Sequence, residues 1–404
     1  MPAEDRTVGQ MNTPSADVVG PVEVGPVAHG GHCVARHDGR VIFVRHCLPG
    51  EQVMVRITDD SQARFWRGDA VEILRPSPDR VPVRCAIAGP GLCGGCDFQH
   101  VDLAAQRRLK AYVVAEQLQR LAGLEWDGEV ESVTEGPGDD GLGWRTRMRY
   151  HADDTGRAGL RGHRSHRIVP LPDYGCPIAA PETPSVVGQR WPEGAELLAA
   201  SASSGEALLV DGRLSRGSAV LEERAAGRDW SVAAEGFWQV HPRAAEVLVA
   251  TVLAGLEPRA GDKAFDLYCG VGLFAGALAD RGCEVWGVEA GHQAVQSARR
   301  NLADVADRVH LSTGRVERRL SQLPRRADLV VLDPPRAGAG RVVVQAIAAR
   351  APRRIAYVAC DPAALARDLA TAQQAGLTVQ SVRAFDLFPM THHVECVAVL
   401  APQE

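Results

Sequence analysis

"KAFDLYCGVGLFAGALADRGCEVWGVEA", residues 263–290, decides the fold. Residues 263–269 form a short apolar, strand-like run, 272–282 is spaced like a helix, and 284–290 is a second strand-like run. This grammar repeats through the rest of the chain. "RVHLST" (308–313), "ADLVVLDPP" (327–335) and "RIAYVAC" (354–360) are strand-like, and they alternate with helix-like segments at 291–305, 340–351 and 362–375. Strands alternating with helices predict an α/β fold, a parallel, doubly wound sheet over 236–404. Two closing strands with no helix between them, near 379–389 and 392–401, predict an antiparallel hairpin at its end.

An open sheet of this kind binds its ligand at the carboxyl ends of the strands. Gly270 and Gly272 let the first turn approach a ligand closely. Asp266 lies just before that turn, Tyr268 within it, and Glu289 ends the second strand, where an acid hydrogen-bonds ribose hydroxyls. Gly276 falls one place late for the dinucleotide pattern, and no phosphate-binding G-x-x-x-x-G-K run exists, since Lys110 and Lys263 are the only lysines. Two acids around a glycine turn favour a ligand with a ribose and a positive charge. S-adenosyl-L-methionine fits that description. The fourth strand ends in Asp333-Pro334-Pro335, a carboxylate followed by rigid extended backbone, suited to lie against a planar base.

The fifth strand ends in Cys360 beside a helix N-terminus, whose dipole favours thiolate, although Asp361 opposes it. Carbon 5 of a pyrimidine is a poor nucleophile, so methylating it calls for covalent help. The parts needed are a thiol, a base and a group that reads the pyrimidine edge. Cys360, Glu395 and Gln239 are candidates for them, while Cys269, Cys283 and Cys396 read as buried core.

Upstream, residues 18–75 alternate short β-rich runs with glycine and proline, which predicts a small closed barrel. Residues 76–100 have no periodicity, 101–122 form one helix, and a β-rich region follows to 235. Within the latter, residues 144–167 carry seven arginines and three histidines against two aspartates. Arg145, Arg147 and Arg149 alternate on one strand face, with Trp144 and Tyr150 between them, and are expected to bind phosphate. The formal net charge of -5 excludes a uniformly basic nucleic-acid coat. No run reaches the length of a membrane helix, so no membrane partner is expected. Residues 1–17 lack a secretory pattern and read as a flexible tail, which gives a cytoplasmic expectation. Ten cysteines do not suit a disulfide framework in that compartment.

In order, "FWQV", "DLYCGVG", "GVE", "DPPR", "ACDPAALARD" and "FPMTHHVE" resemble the motifs of the RNA 5-methyluridine methyltransferases, over nearly the whole chain. The resemblance implies a Rossmann-like class I methyltransferase domain at 236–404 behind a central β-rich domain at 76–235. It also implies a TRAM-type, OB-like RNA-binding barrel at 18–75. By analogy Cys360 is the nucleophile, Glu395 the proton-abstracting base, and Gln239, Asp266, Glu289 and Asp333 are cofactor and active-site polar residues. Three positions depart from the family pattern: Ala359 and Asp361 replace serine and asparagine around the nucleophile, and His241 replaces an asparagine.

Cys93 and Cys96 form C-x-x-C in a loop, Cys85 lies eight residues earlier, and Cys176 could supply a fourth thiolate. Such a set implies a metal centre. Zinc is one occupant; the resemblance favours a 4Fe-4S cluster, with a structural role. Cys33 and Cys47 read as barrel core.

The expected activity is methylation of carbon 5 of a uridine in RNA, with 23S ribosomal RNA the favoured substrate, tRNA the runner-up, and a monomer as the working form. Two other readings remain open: a base amino-group methyltransferase, which needs no thiol, and a non-catalytic iron-sulfur RNA-binding protein.

Overall fold

The computed structural model describes residues 17–133 and 140–403. The tail expected over 1–17 therefore lies outside the described residues except for Asp17. The chain divides into two compact units, one reaching to Ala28 and resuming over His32–Pro78, the other comprising His29–Gly31 and everything from Asp79 onward.

The smaller unit is a closed barrel of five strands, β1 (Val18–Ala28), β2 (His32–His37), β3 (Arg40–Arg45), β4 (Gln52–Asp59) and β5 (Phe65–Arg75), in the order β1-β2-β3-β5-β4. Alternation sends Ile42, Val44, Val53 and Val55 inward, where all are buried. Cys33 donates to the carbonyl of Cys47 at 3.6 Å, so both thiols belong to this core. Closure needs a glycine at position 68. A Cβ there would meet Val55 Cγ1 at 2.5 Å and the Arg56 carbonyl oxygen at 2.8 Å.

In the larger unit, an irregular stretch leads to helix α1 (Leu103–Ala122), capped by Asp102, which accepts from the Ala104 and Ala105 amides. Short strand β6 (Val130–Ser132) follows. Strands β7 (Arg147–Ala152), β8 (Ala158–Arg161), β9 (Ile168–Pro170), β10 (Glu196–Ala202), β11 (Gly205–Val210) and β12 (Arg213–Gly217) build a six-stranded sheet ordered β12-β11-β10-β7-β8-β9. A separate hairpin joins β13 (Val220–Ala225) and β14 (Arg228–Ala233).

The remaining elements are α2 (Ala244–Leu256), β15 (Lys263–Leu267), α3 (Leu273–Ala279), β16 (Glu284–Glu289), α4 (His292–Asn301), β17 (Val309–Thr313), α5 (Val316–Arg319), β18 (Leu329–Leu332), α6 (Gly340–Ala348), β19 (Arg354–Ala359), α7 (Pro362–Gln374), β20 (Leu377–Asp386) and β21 (Glu395–Pro402). Their sheet runs β17-β16-β15-β18-β19-β21-β20-β6. β15 to β19 are mutually parallel, and β21 is antiparallel to both β19 and β20. Both faces are covered, which is why these strands are apolar throughout rather than alternating. Val331 packs with α2 and α3 on one side, and Val330 with α1, α6 and α7 on the other.

One strand of this sheet was not foreseen. β6, from the start of the region read as β-rich and assigned to the central domain, pairs parallel to β20 and forms the sheet's edge, with Val130 opposite Ala384. At three residues it is too short to carry a period-2 signal.

Candidate functional site

The carboxyl ends of β15, β16, β18 and β19 open into a cavity of about 1190 Å³. The turn after β15 forms one wall. Tyr268, Gly270 and Gly272 there all have left-handed backbone (φ 70°, 53° and 98°). Gly272 is also crowded, since a Cβ would sit 2.8 Å from Leu302 Cδ1 and that side chain would have to shift. Glu289 braces the turn: its carboxylate accepts from the Gly270 amide at 3.2 Å and the Gly291 amide at 2.6 Å. Tyr268, Gly270 and Glu289 line the cavity together with Gln239, Asp333, Cys360 and Glu395.

Asp266 requires a correction. It was expected to touch the cofactor, but it does not line the cavity and lies fully buried beneath the turn. Oδ2 accepts from the Ala275 amide at 2.8 Å, tying the turn to α3, and Oδ1 has no hydrogen-bond partner among the described residues. Burial, aided by the charges of Asp333 and Glu289, pushes its carboxyl up to about 8. A protonated, supporting carboxyl suits that position. Being one residue inside the strand end is enough to point it away from the ligand space.

Asp333 keeps a face on the cavity and is raised to about 7 by burial and by Glu289. Glu395 opens β21, is 4% exposed, and is held well above the usual carboxylate range by burial and Asp333, with Arg336 opposing. Cys396 turns to the opposite face and packs in the core.

At Cys360 the helix dipole that favours thiolate is outweighed: the thiol is pushed up to about 11, by burial first and by Glu395 second, with Arg336 pulling the other way. The helix N-terminus that would have favoured thiolate is occupied by Asp361, whose Oδ1 accepts from the Ala364 amide at 2.7 Å. Arg336 is thus the cation that acts on both Cys360 and Glu395, and it also touches His393 Nε2 at 3.3 Å. Its place directly after the two prolines was the available signal.

The basic stretch is largely spent within the chain. Arg147 pairs with Glu223 at 2.8 Å and Arg149 pairs with Glu196. Arg145 lies outside β7, stacks over Trp144 and lines the cavity. Trp144 and Tyr150 are buried, so neither offers a face to a base. The exposed aromatic on the cavity wall is Phe237, 72% exposed, which sequence reasoning missed because attention went to Gln239.

Cys85, Cys93, Cys96 and Cys176 line the same cavity. As a thiolate, Cys96 would be repelled by the other three. Burial raises Cys85 and Cys96, and carries Cys176 up to about 11. Two sulfurs already accept hydrogen bonds, Cys93 from the Gly95 amide (3.3 Å) and Cys96 from Gln99 Nε2 (3.7 Å). Among the described residues no three His, Cys, Asp or Glu side chains are arranged to hold a single metal ion. The four thiols line one cavity without a preformed single-ion cage. Cys85 and Cys93 are buried, Cys96 and Cys176 are half-buried, and thiols that accept N–H bonds, as those of Cys93 and Cys96 do, are donors suited to an iron-sulfur group.

Two family models match: the tRNA (uracil-5-)-methyltransferase family over residues 228–403 and the TRAM domain over residues 19–71. A protein of Streptomyces coelicolor described as an uncharacterized RNA methyltransferase is 51% identical, over 99% of this chain and 97% of its own. One of Streptomyces avermitilis, described likewise, is 50% identical over 94% and 98%. Among solved structures, the tRNA (uracil-54, C5)-methyltransferase of Pyrococcus abyssi in complex with S-adenosyl-L-homocysteine superposes with a TM-score of 0.70. It is 24% identical and covers 94% of this chain and 99% of that one, a shared fold from end to end. With half its residues shared along the whole length of RNA methyltransferases, and the uracil-5 family model matching its doubly wound half, the chain belongs to the RNA 5-methyluridine methyltransferase family.

Proposed function

We propose that this chain methylates carbon 5 of a uridine in 23S ribosomal RNA, using S-adenosylmethionine and a covalent bond from Cys360 to the base. The observation that carries the reading is that Cys360 and Glu395 share one cavity with the braced glycine turn. Cys360, once deprotonated, forms a bond from sulfur to carbon 6, and the C5=C6 π electrons move onto the carbon 4 oxygen as an enolate. Carbon 5 of that enolate then bonds to the methyl group that S-adenosylmethionine would supply, and the carbon–sulfur electron pair of the sulfonium leaves with the thioether. Glu395 then takes the proton from carbon 5, and the electrons restore the C5=C6 bond and expel the thiolate. The exposed ring of Phe237 offers a platform on which the flipped base or its neighbour can stack.

The cofactor fit rests on charge. Glu289, Asp333 and Glu395 face the cavity with Arg145, Arg149, Arg315 and Arg336 as cations; Glu289 raises Asp333, and Asp333 raises Glu395. A sulfonium placed among them favours the carboxylate form of Asp333. Because Asp333 titrates near 7 in the free protein, affinity for S-adenosylmethionine should rise between pH 6 and pH 8, by up to about tenfold, with proton release. Calorimetry in two buffers of different ionisation enthalpy measures this; a flat profile that Asp333→Asn leaves unchanged would remove the charge argument.

The four thiols are proposed to hold a 4Fe-4S cluster as a structural element. Protein purified without oxygen should contain about four iron and four labile sulfide per chain. Zinc in place of iron, or fully active protein holding neither, would overturn the assignment.

Ribosomal RNA is favoured because family members carrying both the barrel and the cysteine set act mostly on it. Transfer RNA is the second reading, supported by the family model's description and by the Pyrococcus abyssi enzyme. Mapping 5-methyluridines in both RNAs from cells with and without the gene separates the two, and loss of none rejects both. The protein is proposed to act as a cytoplasmic monomer, which hydrodynamic measurement and cell fractionation check.

A further inference from the structure

The residues joining β20 to β21, 387–394, deliver Glu395 to the cavity, and their geometry is imposed from outside. Met390 has a left-handed backbone at φ 67°, a conformation that is strained for a non-glycine residue and persists only where its surroundings enforce it. Both of its backbone polar groups are held by residues distant in sequence. The Met390 amide donates to Gln106 Oε1 at 2.8 Å, and the Met390 carbonyl accepts from the Phe98 amide at 2.9 Å. Gln106 is fully buried and completes the clamp by donating to the carbonyls of Phe98 (3.1 Å) and Val101 (2.9 Å). Two residues on, His392 donates its backbone amide to Asp97 Oδ2 at 3.2 Å, and its ring Nδ1 lies 2.6 Å from the same oxygen. Asp97 and Phe98 directly follow Cys96. The thiol motif is therefore bonded to the segment that ends in Glu395.

We propose that Asp97, Phe98 and Gln106 form a latch that positions Glu395, so that the order of the cysteine loop governs removal of the carbon 5 proton. The proposal rests on the reading of Glu395 as base. It assigns positioning roles to residues outside the cavity chemistry and gives the thiol set a mechanical connection to one step of the reaction. A slackened latch displaces the base while leaving Cys360, at the end of β19, in place. Adduct formation and methyl transfer should then survive, and release of the product should slow.

The test uses the full-length protein, labelled S-adenosylmethionine and whichever transcript, 23S ribosomal RNA or tRNA, the unaltered protein methylates. Asp97→Ala and His392→Ala should lower turnover about tenfold. Single-turnover methyl transfer should stay within about threefold of wild type, and the SDS-resistant protein–RNA adduct should grow severalfold. Asp97→Asn, which retains an acceptor oxygen, should restore most of the turnover. Glu395→Gln is the control and should trap the adduct most strongly. If Glu395→Gln traps adduct and the latch variants do not, or if their steps all fall together, the latch is refuted while the base assignment stands. If Glu395→Gln fails to trap, the base assignment falls and the latch falls with it. Should Asp97→Ala lose its melting transition, His392→Ala, altering a side chain 28% exposed, carries the same comparison.

Discussion

Replacing Cys360 with alanine should lower methyl transfer by about 10⁴-fold or more and leave S-adenosylmethionine binding within about twofold of wild type. The first figure follows from removing the nucleophile while the other cavity thiols, Cys85, Cys93, Cys96 and Cys176, are assigned to the proposed cluster. Cys269 also lines the cavity, but it is buried and its thiol is held well above its usual range by burial and by Asp266 and Glu289. The second follows from the cofactor-side wall, made by the β15 turn and Glu289, to which Cys360 makes no hydrogen bond among the described residues. RNA containing 5-fluorouridine should crosslink to wild-type protein when S-adenosylmethionine is supplied, because fluorine leaves no proton for the base to remove. The alanine variant should not crosslink. Surviving methylation would favour the amino-group alternative, in which no thiol is required. The raised thiol predicts a further feature: the rate of adduct formation should climb with pH from 7 towards 9, since the thiolate fraction grows as pH approaches about 11.

The difference between what the sequence disclosed and what it withheld is one of range. Strand ends in a doubly wound sheet fall at predictable places, so the sequence pattern assigns Tyr268, Gly270, Glu289, Asp333 and Cys360 to one rim, and they do share a cavity. Asp266 was misjudged because its spacing from the glycines is right while its side chain points beneath the turn. The arginines at 147 and 149 were read as free charges since their partners, Glu223 and Glu196, lie far along the chain and carry no motif. The same blindness concealed the links from Asp97 and Gln106 to the loop before Glu395, each spanning more than half the chain. Helical periodicity marked 101–122 as a helix, yet gave no hint that one of its lysines is a buried partner of the last sheet strands.

That lysine sets the second large effect. Lys110 on α1 is 1% exposed, with Nζ 2.6 Å from Asp386 Oδ1 and 3.0 Å from the Phe388 carbonyl. Burial pulls its ammonium below the usual range while Asp386 holds it up. Lys110→Met should cost about 3–5 kcal/mol, because the stem is replaced while Asp386, 3% exposed, keeps a charge with no cation beside it. Adding Asp386→Leu should recover most of that loss, since a matched apolar pair needs no desolvation of charge. Urea or thermal melting of the two variants measures the difference. A double variant as unstable as the single would trace the loss to packing of α1, where Val114 and Leu118 lie against the same face of the sheet, and not to the stranded carboxylate. Either outcome bears on the architecture. The matched methyltransferase segment starts at residue 228, whereas Lys110, Val114 and Leu118 lie far before it. Expressed alone, 228–403 would leave Asp386 without its cation and expose an apolar face that α1 covers, so it should not fold to the stability of the intact chain.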